Sequence, residues 1–204
     1  VGIWALKTLS ALDLLRTIPV TFVFNSDEET GSATSRELIL NEAKQSKAAF
    51  VFEAGGLDNE VVTGRKGNFS ARIETEGKAG HAAFAGKEKA SAILELAYKT
   101  IEIEKLNAPD QGISANVGVF HGGMGRNTVP KHAAADLDFR FLNPDDFDPL
   151  MTRLKKIVDQ QFCPGTRSTM TLNTHRPPMP QSDGNQALFN RLQNTASGLG
   201  MAIS

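Results

Sequence analysis

Asp27, Glu28 and Glu29 stand side by side at the end of a short apolar run, VTFVFNSDEE, residues 20–29. Neighbouring carboxylates repel one another unless something cationic is held among them. A second apolar run, residues 48–52 (AAFVF), ends on another acid, Glu53. The chemistry that needs such acids is metal-assisted hydrolysis. An ion lowers the pKa of a bound water, and a nearby carboxylate takes its proton. The competing reading is a solvated acidic turn ahead of a helix, where the N-terminal dipole favours acids in any case. The run of three acids alone does not separate the two; Glu53 at the end of the next run favours a site.

The elements that must position these acids follow from pattern. Residues 2–15 are apolar almost all round (Ile3, Trp4, Leu6, Leu9, Leu12, Leu15) and predict a buried helix. Residues 20–24 and 48–52 are continuous apolar runs of strand length, as in buried parallel strands. Between them Thr34-Ser35-Arg36-Glu37 has capping-box spacing and predicts a helix to about Lys47. This alternation predicts an α/β portion with a partial parallel sheet. Ligands of such sheets bind beyond the carboxyl ends of the strands, where these acids sit. Adjacent strands lie about 4.8 Å apart, close enough for their terminal acids to share one ion.

From about residue 55 the pattern changes. Residues 60–76 alternate (Phe69, Ala71, Ile73) and predict a long strand; residues 87–106 predict an amphipathic helix. Residues 113–120 and 133–141 read as strands flanking HGGMGRNTVP, residues 147–162 as a helix, and residues 166–173 as a last strand. The order β-α-β-β-α-β predicts an inserted α+β, ferredoxin-like unit with an antiparallel sheet. RPPMP at residues 176–180 reads as a hinge, and residues 185–198 as a helix. The expected division is 1–57 (part of a catalytic domain), 58–177 (the inserted dimerisation or lid domain) and 178–204 (a return to the first domain).

Taken in order, NSDEETGS, FEAG, VVTGRKG, EGKAGHAA, GRNTVP and DFRF resemble the zinc metallopeptidase superfamily of glutamate carboxypeptidase, aminoacylases and succinyl-diaminopimelate desuccinylase, with the nearest look to glutamate carboxypeptidase. The resemblance covers nearly the whole chain. It implies two zinc ions in the intact enzyme, with Glu29 and Glu53 each ligating one. It implies Glu28 as general base. It implies that His81, from the inserted module, crosses a homodimer interface to the partner's site, where an imidazole donor steadies a developing oxyanion. Asn127 would contact substrate or that oxyanion. Arg140, and Arg176 as a second choice, would hold a substrate carboxylate through a charge-assisted fork. Arg65 and Lys66 are weaker cations for the same task. Read from the residues alone, His81 is a surface histidine in a small-residue turn, Asn127 a turn residue and Arg140 an exposed strand residue. His121, His132 and His175 match no ligand position, and Cys163, before Pro164, has no base near it in sequence.

Several parts of the family's metal kit are missing: an HxD motif, a bridging aspartate before the first helix, and a histidine near the C-terminus. Zinc is usually four-coordinate and often takes histidine. The expectation is therefore a fragment of a larger hydrolase, itself inactive and binding zinc weakly or not at all. The parent is expected to release a C-terminal amino acid, glutamate in the first instance, from small peptides or N-acyl amino acids. The alternatives are an N-acyl amino acid deacylase and, in another class, a non-catalytic dimerisation or peptide-binding module.

Composition narrows the partners. A chain of 204 residues, 40% hydrophobic and 22% charged, is an ordinary globular composition. With a net charge of −1 and no basic run, neither nucleic acid nor an anionic membrane is an expected partner. A lone cysteine excludes an internal disulfide. The expected location is cytoplasmic, or periplasmic if a signal peptide lies upstream.

Overall fold

The computed structural model describes residues 1–53 and 58–204, in two compact units, Val1–Ala54 and Gly55–Ser204. The expected domain boundary at residue 57 and the last two residues of the FEAG motif fall outside the described residues. No helix among the described residues is long and apolar enough to cross a membrane.

The first unit departs from expectation in two ways. Helix α1, Gly2–Ala11, forms but buries none of its residues; Trp4 is 72% exposed. The runs 20–24 and 48–52 are not strands, and no backbone hydrogen bond joins them among the described residues. Their side chains nevertheless alternate and meet: Phe22 stacks on Phe24 at 4.7 Å between centroids and lies 5.9 Å from Phe52. Two extended runs and two helices supply too little apolar surface to cover both faces of a parallel sheet. The expected partial parallel sheet is therefore absent among the described residues.

Helix α2, Arg36–Gln45, starts where expected but not by the expected capping box. Ser35 caps nothing with its side chain. Its hydroxyl donates to Asp27 Oδ1 at 2.6 Å, and the Thr34 hydroxyl donates to Asp27 Oδ2 at 2.7 Å. The amides of Thr34 and Ser35 also donate to Oδ2, at 2.8 and 3.2 Å. A carboxylate is the stronger acceptor, so both hydroxyls go to it. It sits at the N-terminus of α2, where the helix dipole favours negative charge.

The second unit is built on one sheet. Strands β1 (Gly67–Glu76), β3 (Ser114–Gly122), β5 (His132–Phe141) and β6 (Arg167–Arg176) pair antiparallel in the order β3-β5-β1-β6. A two-residue ribbon, β2 (Gly80–His81) with β4 (Thr128–Val129), stands apart from it. Helices α3 (Ala92–Glu104) and α4 (Phe147–Asp159) lie between β1 and β3 and between β5 and β6 in the chain. β1 begins at Gly67 rather than near residue 60; before it, Arg65 bridges to Met179. α3 begins at Ala92 rather than Lys87, because the Ser91 hydroxyl accepts from the Leu94 amide and caps the helix there.

The β1–β5 register runs for ten pairs without a slip, from Gly67 with Phe141 to Glu76 with His132. Side chains alternate along a strand, so this register sends one set to each face. Phe69, Ala71, Ile73, Ala133, Ala135, Leu137, Phe139 and Phe141 are buried on one face, in one cluster with Leu96 and Ile103 of α3 and Leu150 and Leu154 of α4. Phe69 and Phe139 stack at 4.5 Å between centroids. The other face is polar and carries the Arg72–Asp136 pair at 2.9 Å.

Residues 178–204, expected to return to the first domain, are grouped with the second unit. Arg65 and Met179 exchange backbone hydrogen bonds of 2.8 and 2.9 Å, and the Val61 amide donates to the Ser204 carbonyl at 2.7 Å. Helix α5, Asp183–Gly198, is capped by the Ser182 hydroxyl, and the Asn185 side chain donates to the Thr63 carbonyl.

One buried ion pair ties α3 to the α4–β6 connection. Lys99 and Glu95, each 1% exposed, meet at 2.9 Å. The ammonium also donates to the carbonyls of Ile157, Val158 and Gln160, at the C-terminal end of α4. The second Glu95 oxygen accepts the Phe162 and Cys163 amides at 2.9 and 2.6 Å. Burial pushes the Cys163 thiol above its ordinary range, and the Glu95 charge adds to the effect, so this thiol is no ready nucleophile.

Two predictions follow from these contacts. Replacing a buried ion pair by apolar residues is often neutral, but here each ion also satisfies backbone groups. Lys99→Met should destabilise the second unit by about 3–5 kcal/mol in urea unfolding. The double variant Glu95→Leu/Lys99→Met should stay destabilised by a similar amount; wild-type stability in the double variant would refute the clamp. Asp27 lies well below the ordinary carboxylate range, chiefly through the Ser35 hydroxyl and then the Thr34 hydroxyl and amide. A lowered folded pKa stabilises above the unfolded value and is lost as pH falls towards the folded one. Asp27→Asn should therefore lower amide-exchange protection at Thr34 and Ser35 at neutral pH. Its deficit relative to wild type should shrink progressively below about pH 4.

Candidate functional site

The acids of the first unit lie on a turn held by Asp27. Glu28 and Glu29 occupy a 3₁₀ turn, Glu28–Thr30, and both are exposed. The Asp27 carbonyl accepts from the Thr30 and Ser32 amides at 3.2 and 2.8 Å, so Asp27 holds this turn by its backbone and the start of α2 by its side chain. Glu53 is exposed at the end of the second apolar run. Among the described residues, no group of three or more His, Cys, Asp or Glu side chains is placed to hold a metal ion. Three carboxylates without a histidine or a fourth donor do not fit the tetrahedral zinc set. Among the described residues, this donor set does not make a zinc site by itself.

The second unit brings His81 and Asn127 together. Gly80 pairs with Val129 and His81 with Thr128, while the Ala82 amide donates to the Asn127 carbonyl at 2.9 Å. Val129, 3% exposed, anchors the ribbon in the protein, and His81 and Asn127 remain exposed. The approach to the ribbon needs a glycine: a Cβ on Gly77 would lie 2.2 Å from the Ala90 carbonyl oxygen. In the sequence His81 and Asn127 belong to separate motifs. Their meeting was not readable, because two-residue strands carry no periodic signal. The only hint was glycine on each side, Gly80 in one segment and Gly122, Gly123 and Gly125 in the other.

Arg140 and Arg176 fall in one row across the sheet, elsewhere in the unit. Asn68 of β1 pairs with Arg140 on one side and Arg176 on the other. All three therefore share one cross-strand row. This row belongs to the polar face, since the neighbouring Phe69 and Phe139 are on the buried one. Arg140 is oriented by Asp138, which accepts from its Nε at 2.7 Å. Among the described residues the guanidinium's terminal nitrogens have no further partner, and their geometry suits a fork with a planar anion. His175, one residue before Arg176, faces the other way and stacks on Phe147 at 3.8 Å between centroids.

The two pairs lie at opposite ends of the sheet. Glu76 and His132 close the β1–β5 ladder at the ribbon end, and Asn68 and Arg140 pair near its other end. Eight residue steps of β5 separate His132 from Arg140, roughly 27 Å at strand rise. The ladder between the ribbon end and the arginine row is thus longer than a small substrate.

A family described as the peptidase dimerisation domain (M20) matches residues 63–166. Among curated proteins, carboxypeptidase G2 of Pseudomonas sp. (strain RS-16) is 27% identical over 173 residues, 84% of this chain and 42% of that protein. Succinyl-diaminopimelate desuccinylase of Polaromonas sp. is 29% identical over 160 residues, 70% of this chain and 36% of that protein. Among solved structures, aminopeptidase PepT from Bacillus cereus superposes with a TM-score of 0.77 at 23% identity, over 98% of this chain and 53% of that one. A tripeptidase from Staphylococcus aureus superposes with a TM-score of 0.70 at 24% identity, over 97% of this chain and 54% of that one. The chain thus spans about half the length of the proteins it matches. The family match takes in just over half of the chain, from the strand region before β1 to the end of the α4–β6 connection, and the chain belongs to the M20 peptidase dimerisation domain family.

Proposed function

We propose that this chain is part of a longer metal-dependent hydrolase that acts as a homodimer, with each active site completed by the second copy. The observation that carries this reading is the separation along β5. A donor pair, His81 with Asn127, stands on the ribbon beyond one end of the β1–β5 ladder, and a carboxylate-binding pair, Arg140 with Arg176, near the other end, with roughly 27 Å of strand from His132 to Arg140 between them. A two-fold axis can bring the ribbon of one copy to the arginine row of the other. The second unit is then the ferredoxin-like dimerisation and lid domain, a reading supported by its β-α-β-β-α-β order and by two helices on one face of the sheet. The surface for pairing is the free edge of β3, with Val119 and Phe120 exposed, together with Leu94, Tyr98 and Ile101 on the outside of α3. An uncovered sheet edge beside an apolar helix stripe suits a second copy of the same surface.

In this reading Glu28 takes the proton from the attacking water and returns it to the leaving amine. Glu29 and Glu53 would each hold one of two zinc ions, with the remaining ligands supplied by other parts of the parent. His81, in trans, donates to the oxygen that becomes negative, with Asn127 beside it. Arg140 grips the free carboxylate of the substrate, with Arg176 in the same row. The substrate class is a small peptide or N-acyl amino acid with a C-terminal carboxylate, N-acyl glutamate first. Deacylation of an N-acyl amino acid is the second reading, favoured by the similarity to succinyl-diaminopimelate desuccinylases.

The test uses the longer parent protein with zinc and measures glutamate release from a panel of N-acyl glutamates. Glu28→Gln should lower kcat by at least about a hundredfold without loss of fold; undiminished activity would remove Glu28 from its role. His81→Ala and Arg140→Ala should each be nearly inactive alone. Unfolded and refolded together in equal amounts, they should recover about a quarter of wild-type activity, because half of the dimers are mixed and each mixed dimer holds one intact site. No recovery would exclude a shared site.

A further inference from the structure

We infer that the Ala83 amide and the Phe84 ring are a positioning device for His81: the amide holds the imidazole in a single tautomer with Nε2–H as its only donor, and the ring walls one side of it. The inference rests on the proposed role of His81 as a donor to the oxyanion and names what makes it one.

The Ala83 amide donates to His81 Nδ1 at 3.2 Å. A neutral imidazole has one donor and one acceptor nitrogen. An Nδ1 that accepts a hydrogen bond carries no proton, so the proton sits on Nε2. Histidine tautomers are ordinarily assigned from surrounding groups that can themselves rotate. Here the partner is a backbone N–H, which cannot turn round and accept, so the assignment has one solution. Nε2 lies on the far side of the ring from that amide and presents N–H outward. The other tautomer would present a lone pair there and repel a developing anion.

The backbone beneath the ring is held as well. His81 pairs with Thr128, the Ala82 amide donates to the Asn127 carbonyl, and the 3₁₀ turn Ala82–Phe84 starts directly after His81. Phe84 then comes back against the imidazole, at 5.3 Å between centroids and tilted by 43°. Phe84 is 87% exposed, a position where an aromatic side chain gains little from burial in this chain. Its neighbours Ala82, Ala83, Ala85 and Gly86 are too small to do the same job. The segment thus places one large ring, next to the one imidazole, in a turn of small residues.

The experiment is long-range proton–nitrogen NMR of this chain, labelled with nitrogen-15, at alkaline pH where imidazoles are neutral. The expected result is an unprotonated Nδ1 and a protonated Nε2 for His81. Ala83→Pro deletes the amide hydrogen and should move both ring nitrogens towards averaged values, with the Thr128 and Asn127 signals marking an intact ribbon. A proton on Nδ1 in the wild type would overturn the inference. So would unchanged ring nitrogens in Ala83→Pro with the ribbon intact. Should that variant lose the ribbon, Phe84 decides: in the parent enzyme Phe84→Ala should lower kcat about tenfold with KM little changed, and Phe84→Tyr should restore it. Equal kcat in Phe84→Ala and wild type would remove Phe84 from the device. The nitrogen signals are independent of turnover. A locked tautomer in a protein whose His81→Ala variant is fully active would refute the proposed role of His81 and leave the lock standing.

Discussion

The unbroken ten-pair register between β1 and β5 governs the rest of the second unit. It collects Phe69, Ala71 and Ile73 with Ala135, Leu137 and Phe139 on the face that α3 and α4 cover. By the same alternation it leaves Asn68, Arg72, Asp136, Asp138 and Arg140 on the other face. A slip of β5 by one residue would turn Leu137, Phe139 and Phe141 outward and Asp136, Asp138 and Arg140 inward. The register therefore sets both the core and the arginine row. Its length sets the separation between that row and the ribbon carrying His81.

Much of this was legible. The period-two alternation of β1 and β5 and the helical stripe of α3 are strong signals, because each element has one buried and one exposed side. The first unit read less well. Residues 20–24 and 48–52 have the composition of buried strands, yet a strand exists only through its neighbours, and these runs meet by aromatic contacts without a ladder. The start of α2 was read correctly for the wrong reason. Thr34 has the spacing of a cap, but a carboxylate seven residues earlier takes its hydroxyl, a competition that local spacing cannot reveal.

The site divides along the same line. Glu28, Glu29 and Glu53 were conspicuous because acids at the ends of apolar runs are unusual. His81 and Asn127 were separate surface residues until the β2–β4 pairing joined them across a sequence gap with no periodic pattern. Arg140 and Arg176 were two unrelated cations until Asn68 placed them in one row. Pairing across strands is a tertiary fact, and both joinings depend on it.

The Lys99–Glu95 clamp also bears on how the unit assembles. Glu95 and the Cys163 amide it accepts are 68 residues apart. Closing so long a loop costs entropy that must be met by other contacts first. The β1–β5 ladder, from Glu76 with His132 to Gly67 with Phe141, closes loops of the same order, so the clamp adds no new long-range closure once that ladder is in place. Its effect falls on the reverse step: α4 and the strand after it cannot peel away from α3 without exposing two buried charges at once.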